Sequence, residues 1–142
     1  MAISAILSAK GHDVVAVAPD TPVREVVGEL IARRIGAVLV TEEAAVVGVV
    51  SERDVIRGLC ASGGDVLARR ARDIMTSPVV TICPTDSVAD AMALMTDRRV
   101  RHLPVIDGGR LVGLVSIGDL VKRRIEEAEQ EATALKDYIA TG

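Results

Sequence analysis

The sequence contains one short phrase twice, as "GVVSERD" at residues 48–54 and as "GLVSIGD" at residues 113–119. Each copy has a glycine, two apolar residues, a serine and, three positions after the serine, an aspartate. This spacing is typical of a helix N-terminus, where the hydroxyl and the carboxylate accept hydrogen bonds from main-chain N–H groups that the helix leaves free. We therefore predict that one helix begins at Ser51 and another at Ser116.

The similarity extends well beyond this phrase. A shift of 65 residues places residues 14–57 over residues 79–122 without a gap. Chance matching of apolar residues does not keep one register for so long, so the chain contains an internal duplication. The identical pairs include Val14/Val79, Pro19/Pro84, Val23/Val88, Arg33/Arg98, Arg34/Arg99, Gly48/Gly113, Ser51/Ser116 and Asp54/Asp119.

Each copy is predicted to form a β-α-β-β-α unit. An opening strand, at 14–17 or 79–82, is followed by a helix whose N-cap is Thr21 or Asp86. Two strands joined by a tight turn come next, at 37–41 and 46–50 or at 102–106 and 111–115. The first helix of each copy carries an apolar stripe, formed by Val23, Val26, Val27, Leu30 and Ile31 or by Val88, Ala91, Met92 and Met95.

The composition restricts the class of protein. The chain is 49% hydrophobic and 26% charged with a net charge of −3, which indicates a globular protein without the basic surface of a nucleic-acid binder. Tyr138 is the only aromatic residue, so base-stacking platforms are excluded. Cys60 and Cys83 form no zinc-binding pattern. No signal peptide and no run of about 18 apolar residues is present, and a cytoplasmic location without membrane insertion is expected.

The duplicated unit resembles the CBS domain, the cystathionine β-synthase-type module, of which two tandem copies form a Bateman module. The matching stretches are "VVTICPTDSVADAMALM" (79–95), "RHLPVID" (101–107), "LVGLVSIGDLV" (111–121) and the lead-in "RDIMTSP" (72–78). The resemblance implies an α/β (α+β) fold of two repeats packed sheet to sheet with pseudo-twofold symmetry, plus a C-terminal helix. The corresponding division is repeat 1 at 4–60, a connection at 61–75, repeat 2 at 76–124 and a helical extension at 125–142.

The resemblance also implies a ligand site. Proteins of this family bind AMP, ADP, ATP or S-adenosylmethionine in the cleft between copies, and the carboxylates of Asp54 and Asp119 are then expected to take ribose hydroxyls. Serines at helix N-termini suit phosphate. The phosphate-binding residues implied are Ser51, Ser116, Arg53, Arg101 and His102, and adenine is expected among Val15, Ile35, Gly36, Ala37, Val80, Val100 and Pro104.

Nothing in the sequence indicates catalysis. His12 and His102 are the only histidines, and neither a P-loop nor a dinucleotide-binding glycine motif occurs. The prediction is a regulatory, energy-sensing module without a catalytic cofactor that acts on a separate, unidentified protein. The alternative is a dimerisation scaffold with non-functional pockets. Helix capping by Ser51, Asp54 and their counterparts is compatible with both the sensor and the scaffold.

The segment after the second repeat is predicted to be helical. Residues 119–141 lack glycine and proline and are rich in Ala, Glu, Lys and Leu. Apolar positions recur with the spacing 4, 3, 4, 3, 4, which is that of a helix-pairing seam, at Val121, Ile125, Ala128, Ala132, Leu135 and Ile139. The stripe either folds back on its own module or packs on a second subunit, and we favour a homodimer.

Overall fold

The computed structural model describes residues 1–141. The first part of the chain forms α1 (Ile3–Lys10), β1 (Ala16–Val17), α2 (Val23–Arg33), β2 (Ala37–Glu42), β3 (Ala45–Ser51) and α3 (Glu52–Ser62). A short 3-10 helix (Gly63–Ala68) and α4 (Ala71–Ile74) lead to α5 (Val88–Arg98), β4 (His102–Asp107), β5 (Arg110–Ser116) and α6 (Ile117–Thr141). Both predicted repeats are present in this order, and α6 continues from the second repeat into the C-terminal extension without a break.

The two repeats differ in their opening strand. In the first repeat β1 pairs in parallel with β2, and β2 pairs antiparallel with β3. In the second repeat β4 pairs with β5, but the strand predicted at 79–82 is wrong, since only a single bridge between Ile82 and Val105 forms. The first repeat has a hydrogen bond from Leu39 N to Val15 O (3.0 Å), and Pro104, which stands 65 residues after Leu39, has no N–H to make its counterpart.

Each hairpin closes with a two-residue turn in the left-handed conformation. Glu43 and Ala44 have φ values of 49° and 66°, and Gly108 and Gly109 have φ values of 57° and 81°. Such turns match the twist of the strands that they join. Each of these strands reaches one residue closer to its turn than the sequence predicted.

The predicted N-caps of α2 and α5 are wrong. The N-cap of α2 is Pro22, and that of α5 is Ser87, whose hydroxyl accepts a hydrogen bond from Asp90 N (3.0 Å). Thr21 and Asp86 instead close the preceding turn, by accepting from Ala18 N (3.1 Å) and Cys83 N (2.8 Å). Both side chains satisfy a main-chain donor, but the donor lies before the helix.

The chain divides into two compact units. The first-repeat unit comprises Asp13–Val80 and Gly108–Leu111, and the second-repeat unit comprises Met1–His12, Thr81–Asp107 and the chain from Val112 onward. The N-terminal segment thus belongs to the second-repeat unit, where Ile3 N donates to Asp86 O (2.9 Å) and Val88 N donates to Met1 O (3.0 Å). The sequence boundaries of the repeats at 4–60 and 76–124 stay a prediction. Gly142, the last residue of the extension, lies outside the described residues.

Each unit has its own aliphatic core. The core of the first-repeat unit consists of Val26, Leu30, Val38, Val40, Val50, Val55 and Ala71. Buried residues of the second-repeat unit include Ile3, Ile6, Leu7, Val88, Ala91, Met95, Leu103, Val105, Val115 and Leu120. Ile31 is an exception to the predicted stripe, with 76% of its surface exposed, because it lies one helical step past Leu30 on the outer side of α2.

None of the helices within residues 1–141 combines the length and the apolar character that crossing a bilayer requires.

Candidate functional site

In the first-repeat unit, Ser51 and Asp54 form the corner where β3 turns into α3. Ser51 is the N-cap of α3, and its hydroxyl accepts from Asp54 N (3.3 Å) while Asp54 Oδ2 accepts from Ser51 N (2.8 Å). Asp54 Oδ1 accepts from Thr76 Oγ1 (3.0 Å) and from Arg57 Nη1 (3.2 Å). Both carboxylate oxygens are therefore occupied, and the side chain is only 3% exposed.

In the second-repeat unit, Ser116 and Asp119 form the equivalent corner between β5 and α6. Asp119 Oδ2 accepts from Ser116 N (2.8 Å), and Asp119 N donates to Ser116 Oγ (3.2 Å). The same Oδ2 also accepts from Lys10 Nζ at the end of α1 (2.7 Å). The Asp119 side chain is 25% exposed, so this carboxylate is the more accessible of the two. Both predicted helix N-termini are confirmed at these corners.

Two opposing effects act on the acidity of Asp119. Burial raises the pKa of its carboxyl group, whereas the hydrogen bond from Lys10, the hydrogen bonds from Ser116 and the positive charge of Lys10 lower it. The lowering effects prevail, and the pKa of Asp119 lies below its ordinary value of 3.8. The carboxylate is thus ionised at neutral pH and can accept hydrogen bonds from hydroxyl groups.

The glycine of the repeated phrase has a packing role. A Cβ atom on Gly48 would lie 2.8 Å from Met75 Cγ, and a Cβ atom on Gly113 would lie 2.6 Å from Leu7 Cδ2. Distances this short do not occur between real side-chain carbons. Gly48 therefore lets Met75 pack directly on β3, the strand that ends at Ser51. Gly113 likewise lets Leu7 of α1 pack directly on β5, the strand that ends at Ser116.

The predicted phosphate-binding residues are distributed unevenly. Arg101 and His102 lie at the Ser116 corner, where Arg101 O accepts from Ile117 N (2.8 Å); the Arg101 side chain is exposed and His102 is half-buried at the start of β4. Arg53 is exposed in the first turn of α3, one residue from Asp54. The corner of the second-repeat unit is thus the one where Arg101 and His102 stand together, directly before β4 and at its first residue.

The predicted adenine-binding residues are partly brought to the corners. In the first-repeat unit Gly36 O accepts from Glu52 N (3.0 Å), and Ala37 pairs with Ser51 across the ladder. Val15, Ile35, Val80 and Val100 are half-buried, whereas Ala37 and Pro104 are buried. An open groove of about 720 Å³ between β1 and α2 is lined in part by Val15, but neither Ser51 nor Asp54 contributes to it.

Three side chains at the corners were not predicted from the sequence: Thr76, Arg57 and Lys10. Thr76 and Lys10 lie outside the gapless repeat of 14–57 and 79–122, so the alignment of the two copies carried no signal for them. Within residues 1–141, no three side chains of His, Cys, Asp or Glu are grouped so that they could hold a metal ion.

Comparison with known proteins places the chain in a family. The model of the CBS domain matches residues 7–61 and again residues 71–126. The chain therefore belongs to the CBS-domain family and contains a tandem pair of these domains, which confirms the resemblance inferred from the sequence. Pairs of CBS domains are regulatory ligand-binding modules, and the match includes no catalytic family.

Several relatives support this assignment. The mitochondrial CBS domain-containing protein CBSX3 of Arabidopsis thaliana is 36% identical over 128 residues, which cover 87% of this chain but only 62% of the relative. The CBS-domain protein ATU1752 of Agrobacterium tumefaciens has a TM-score of 0.84 with 40% identity over 87% of this chain and 92% of its own. PAE2072 of Pyrobaculum aerophilum, complexed with AMP, has a TM-score of 0.74 with 32% identity over 84% of this chain and 89% of its own.

Proposed function

We propose that this chain is a sensor that binds an adenosine-containing ligand of the AMP, ADP or ATP class and transmits the bound state to a separate protein. The observation that carries the proposal is the Asp119 corner, where an ionised and partly exposed carboxylate lies beside a helix N-terminus. A carboxylate accepts the vicinal hydroxyls of a ribose, and the partial positive charge of a helix N-terminus attracts an anion. One corner thus offers both kinds of group that a nucleotide requires.

Asp119 is favoured over Asp54 as the ribose acceptor. A ribose hydroxyl at Asp54 would have to reach a carboxylate that is only 3% exposed and replace one of its four donors. Displacing one of these donors is expensive, since a hydrogen bond to a charged group contributes about 1.5–3 kcal/mol. We therefore assign Asp54 mainly to the stability of the first-repeat unit, although the repeat pattern alone treats the two aspartates alike.

Phosphate recognition is proposed for Ser116, Arg101 and His102, with Ser51 and Arg53 as the counterparts in the first-repeat unit. Guanidinium groups present paired donors that match phosphate oxygens. Aliphatic side chains, including Val15, Ile35, Val80 and Val100, are proposed to receive the adenine ring together with Gly36, Ala37 and Pro104. The complex of PAE2072 with AMP supports a ligand of this class, because that protein shares 32% of its sequence with this chain.

Calorimetric titration tests the proposal. We expect the wild type to bind at least one of AMP, ADP, ATP and S-adenosylmethionine, and we expect Asp119→Asn to weaken binding by about 1.5–3 kcal/mol, the range for a hydrogen bond to a charged group. Asp54→Asn is the matched comparison, for which thermal unfolding should show the larger loss of stability. Absence of binding by the wild type at millimolar ligand would reject the sensor and favour the scaffold.

We also propose that the chain forms a homodimer. The seam residues Val121, Ile125, Ala128, Ala132, Leu135 and Ile139 are all exposed in α6, so the alternative in which they fold back on the chain's own core has no support in the described residues. Ile56 and Leu59 on α3 are exposed as well. The heptad-like spacing suits a second helix of the same kind. A cytoplasmic location and the identity of the regulated protein stay predictions.

A further inference from the structure

The two Ser-x-x-Asp corners receive different side chains from outside the repeated phrase. In the first-repeat unit, Thr76 N donates to Val49 O (2.8 Å), and its hydroxyl donates to Asp54. In the second-repeat unit, Lys10 Nζ donates to Leu114 O (2.9 Å) and to Asp119 Oδ2. Leu114 stands 65 residues after Val49, so the two carbonyl groups are equivalent positions of the repeat. The ammonium group of Lys10 thus makes both hydrogen bonds that the main-chain amide and the hydroxyl of Thr76 make in the first-repeat unit.

This replacement changes how the carboxylate is held. Lys10 and Ser116 N both donate to Oδ2 of Asp119, and Oδ1 accepts from neither of them. At Asp54 the donors are divided between the two oxygens. The carboxylate of Asp119 is therefore anchored through one oxygen, while part of the side chain remains open to solvent. Since Lys10 also holds Leu114 O, its ammonium group is fixed from two directions.

We propose that Lys10 is a positioning residue for ligand recognition, which anchors Oδ2 of Asp119 so that Oδ1 is presented to a hydroxyl of a vicinal diol on the ligand. The inference rests on the proposed function and adds a residue to it. Lys10 does not need to leave when the ligand binds, because the two interactions use different oxygens. The positive charge of the ammonium group also favours the ionised form of the Asp119 carboxylate.

A contrasting interpretation is that Lys10 only attaches the end of α1 to the second-repeat unit. α1 is already held by Ile3, Ile6 and Leu7, which are at most 5% exposed, and by main-chain hydrogen bonds to Pro84 and Asp86. The side chain of Lys10, by contrast, is 37% exposed. Loss of its charge is therefore compatible with a folded unit, which makes the two interpretations separable by experiment.

The experiment compares AMP with 2′,3′-dideoxy-AMP, which lacks both ribose hydroxyls, in calorimetric titrations of the wild type, Lys10→Met and Lys10→Arg. We expect Lys10→Met to bind AMP about tenfold more weakly, corresponding to the loss of about 1.4 kcal/mol, and to bind the dideoxy analogue as the wild type does. Lys10→Arg should recover most of the affinity, because a guanidinium group can donate both to the carbonyl and to the carboxylate. Lys122→Met, on the exposed side of α6, is the matched control and should behave as the wild type.

The outcomes are distinct. If Lys10→Met leaves the affinity for AMP unchanged, or weakens AMP and its dideoxy analogue by the same factor, Lys10 is not a positioning residue and the inference is overturned, while the proposed function stands. If the wild type binds none of AMP, ADP, ATP and S-adenosylmethionine, the proposed function fails and the inference fails with it. If it binds another of these ligands but not AMP, that ligand and its dideoxy analogue replace AMP in the comparison. Should Lys10→Met prove unfolded by circular dichroism, Lys10→Gln, whose amide group keeps two donors without the charge, must give an intermediate loss for AMP alone.

Discussion

Backbone strain differs between the hairpin turns of the two copies, because the residues in the turns differ. The turn of the second hairpin has Gly108 and Gly109, which adopt positive φ without strain, whereas the first has Glu43 and Ala44 in the same conformation. An L-residue with a side chain loses about 1–2 kcal/mol in the left-handed region. The sequence "DGGR" predicted such a turn, but nothing in "EEAA" indicates positive φ, so this strain was not predictable from the first copy.

Substitution of Ala44 by glycine should therefore stabilise the protein. We expect Ala44→Gly to raise the free energy of unfolding by about 0.5–1 kcal/mol, since relief of the strained conformation outweighs the greater flexibility of glycine in the unfolded chain. Urea denaturation measures the difference. Gly109→Ala, at the equivalent position of the second hairpin, is the reverse experiment and should lower the stability. A stabilising Gly109→Ala would contradict the explanation.

At the candidate site, sequence and structure agree on the residues that the repeat contains. Ser51, Asp54, Ser116 and Asp119 could be predicted to lie at helix N-termini, because their spacing itself determines the hydrogen bonds. The partners of the two carboxylates could not be predicted. Thr76 and Lys10 reach their aspartates from segments about 22 and 109 residues away, and only the tertiary structure brings such distant segments together.

Among the elements, equivalent helices differ in intrinsic helix propensity. Gly28 lies within α2, it is exposed, and a Cβ atom built on it meets nothing within 4 Å. The residue 65 positions later in α5 is Ala93, which is also exposed. Glycine in a helix interior is less favourable than alanine by about 0.8–1 kcal/mol. The conformation of α2 is thus maintained by its buried Val23, Val26 and Leu30 in spite of the glycine.

The exchange of these two residues is a direct test. Gly28→Ala should stabilise the protein by about 0.5–1 kcal/mol, since the added methyl group meets no neighbour and the unfolded chain loses conformational freedom. Ala93→Gly should destabilise it by a similar amount. Thermal or urea unfolding of both variants provides the measurement. Unchanged or lower stability for Gly28→Ala would show that this position has a role, for instance in the groove beside β1, that the packing does not reveal.

The opening strands show where prediction at the level of elements fails. β-Branched residues occupy three of the four positions at 14–17 and all four at 79–82, and this pattern predicted a strand in both copies. The outcome depends on the neighbour, because Leu39 has an N–H to donate and Pro104 does not. The sequence of a segment indicates that it can form a strand, but the hydrogen bonds of a sheet also depend on the residues of the neighbouring strand. The helices of the two repeats, which satisfy their hydrogen bonds internally, were all predicted, but α1, which lies outside the duplicated residues, was not.

At the scale of the whole molecule, the second half of α6 is the conspicuous feature. Every residue from 128 to 141 is exposed, including Leu135 (60%), Tyr138 (75%) and Ile139 (68%). An isolated helix of this length is only marginally stable in water, and exposed apolar positions make it less favourable still. The exposed seam therefore supports the proposal that a second subunit covers it.

The proposed dimer can be weakened without disturbing the fold. Leu135→Glu combined with Ile139→Glu introduces two charges into the seam, and we expect the double variant to sediment as a monomer at tens of micromolar while the wild type sediments as a dimer. Gln130→Glu combined with Thr133→Glu adds the same charge on the outer side of α6 and is the matched control. A wild type that sediments as a monomer at this concentration would contradict the dimer.

The placement of α1 in the second-repeat unit has a consequence for biosynthesis. Within this sequence, residues 1–12 leave the ribosome before their hydrogen-bonding partners, which include Pro84, Asp86 and Asp119 and are translated much later. At about 5–20 residues per second, the buried face of α1 waits on the order of 5–20 seconds for its binding surface. The residues of the first repeat can condense during this interval, so the order of translation differs from the order in which the elements can reach their native partners. Until that surface is made, Ile3, Ile6 and Leu7 stay uncovered, and we expect residues 1–12 to be open to capture by chaperones during this interval.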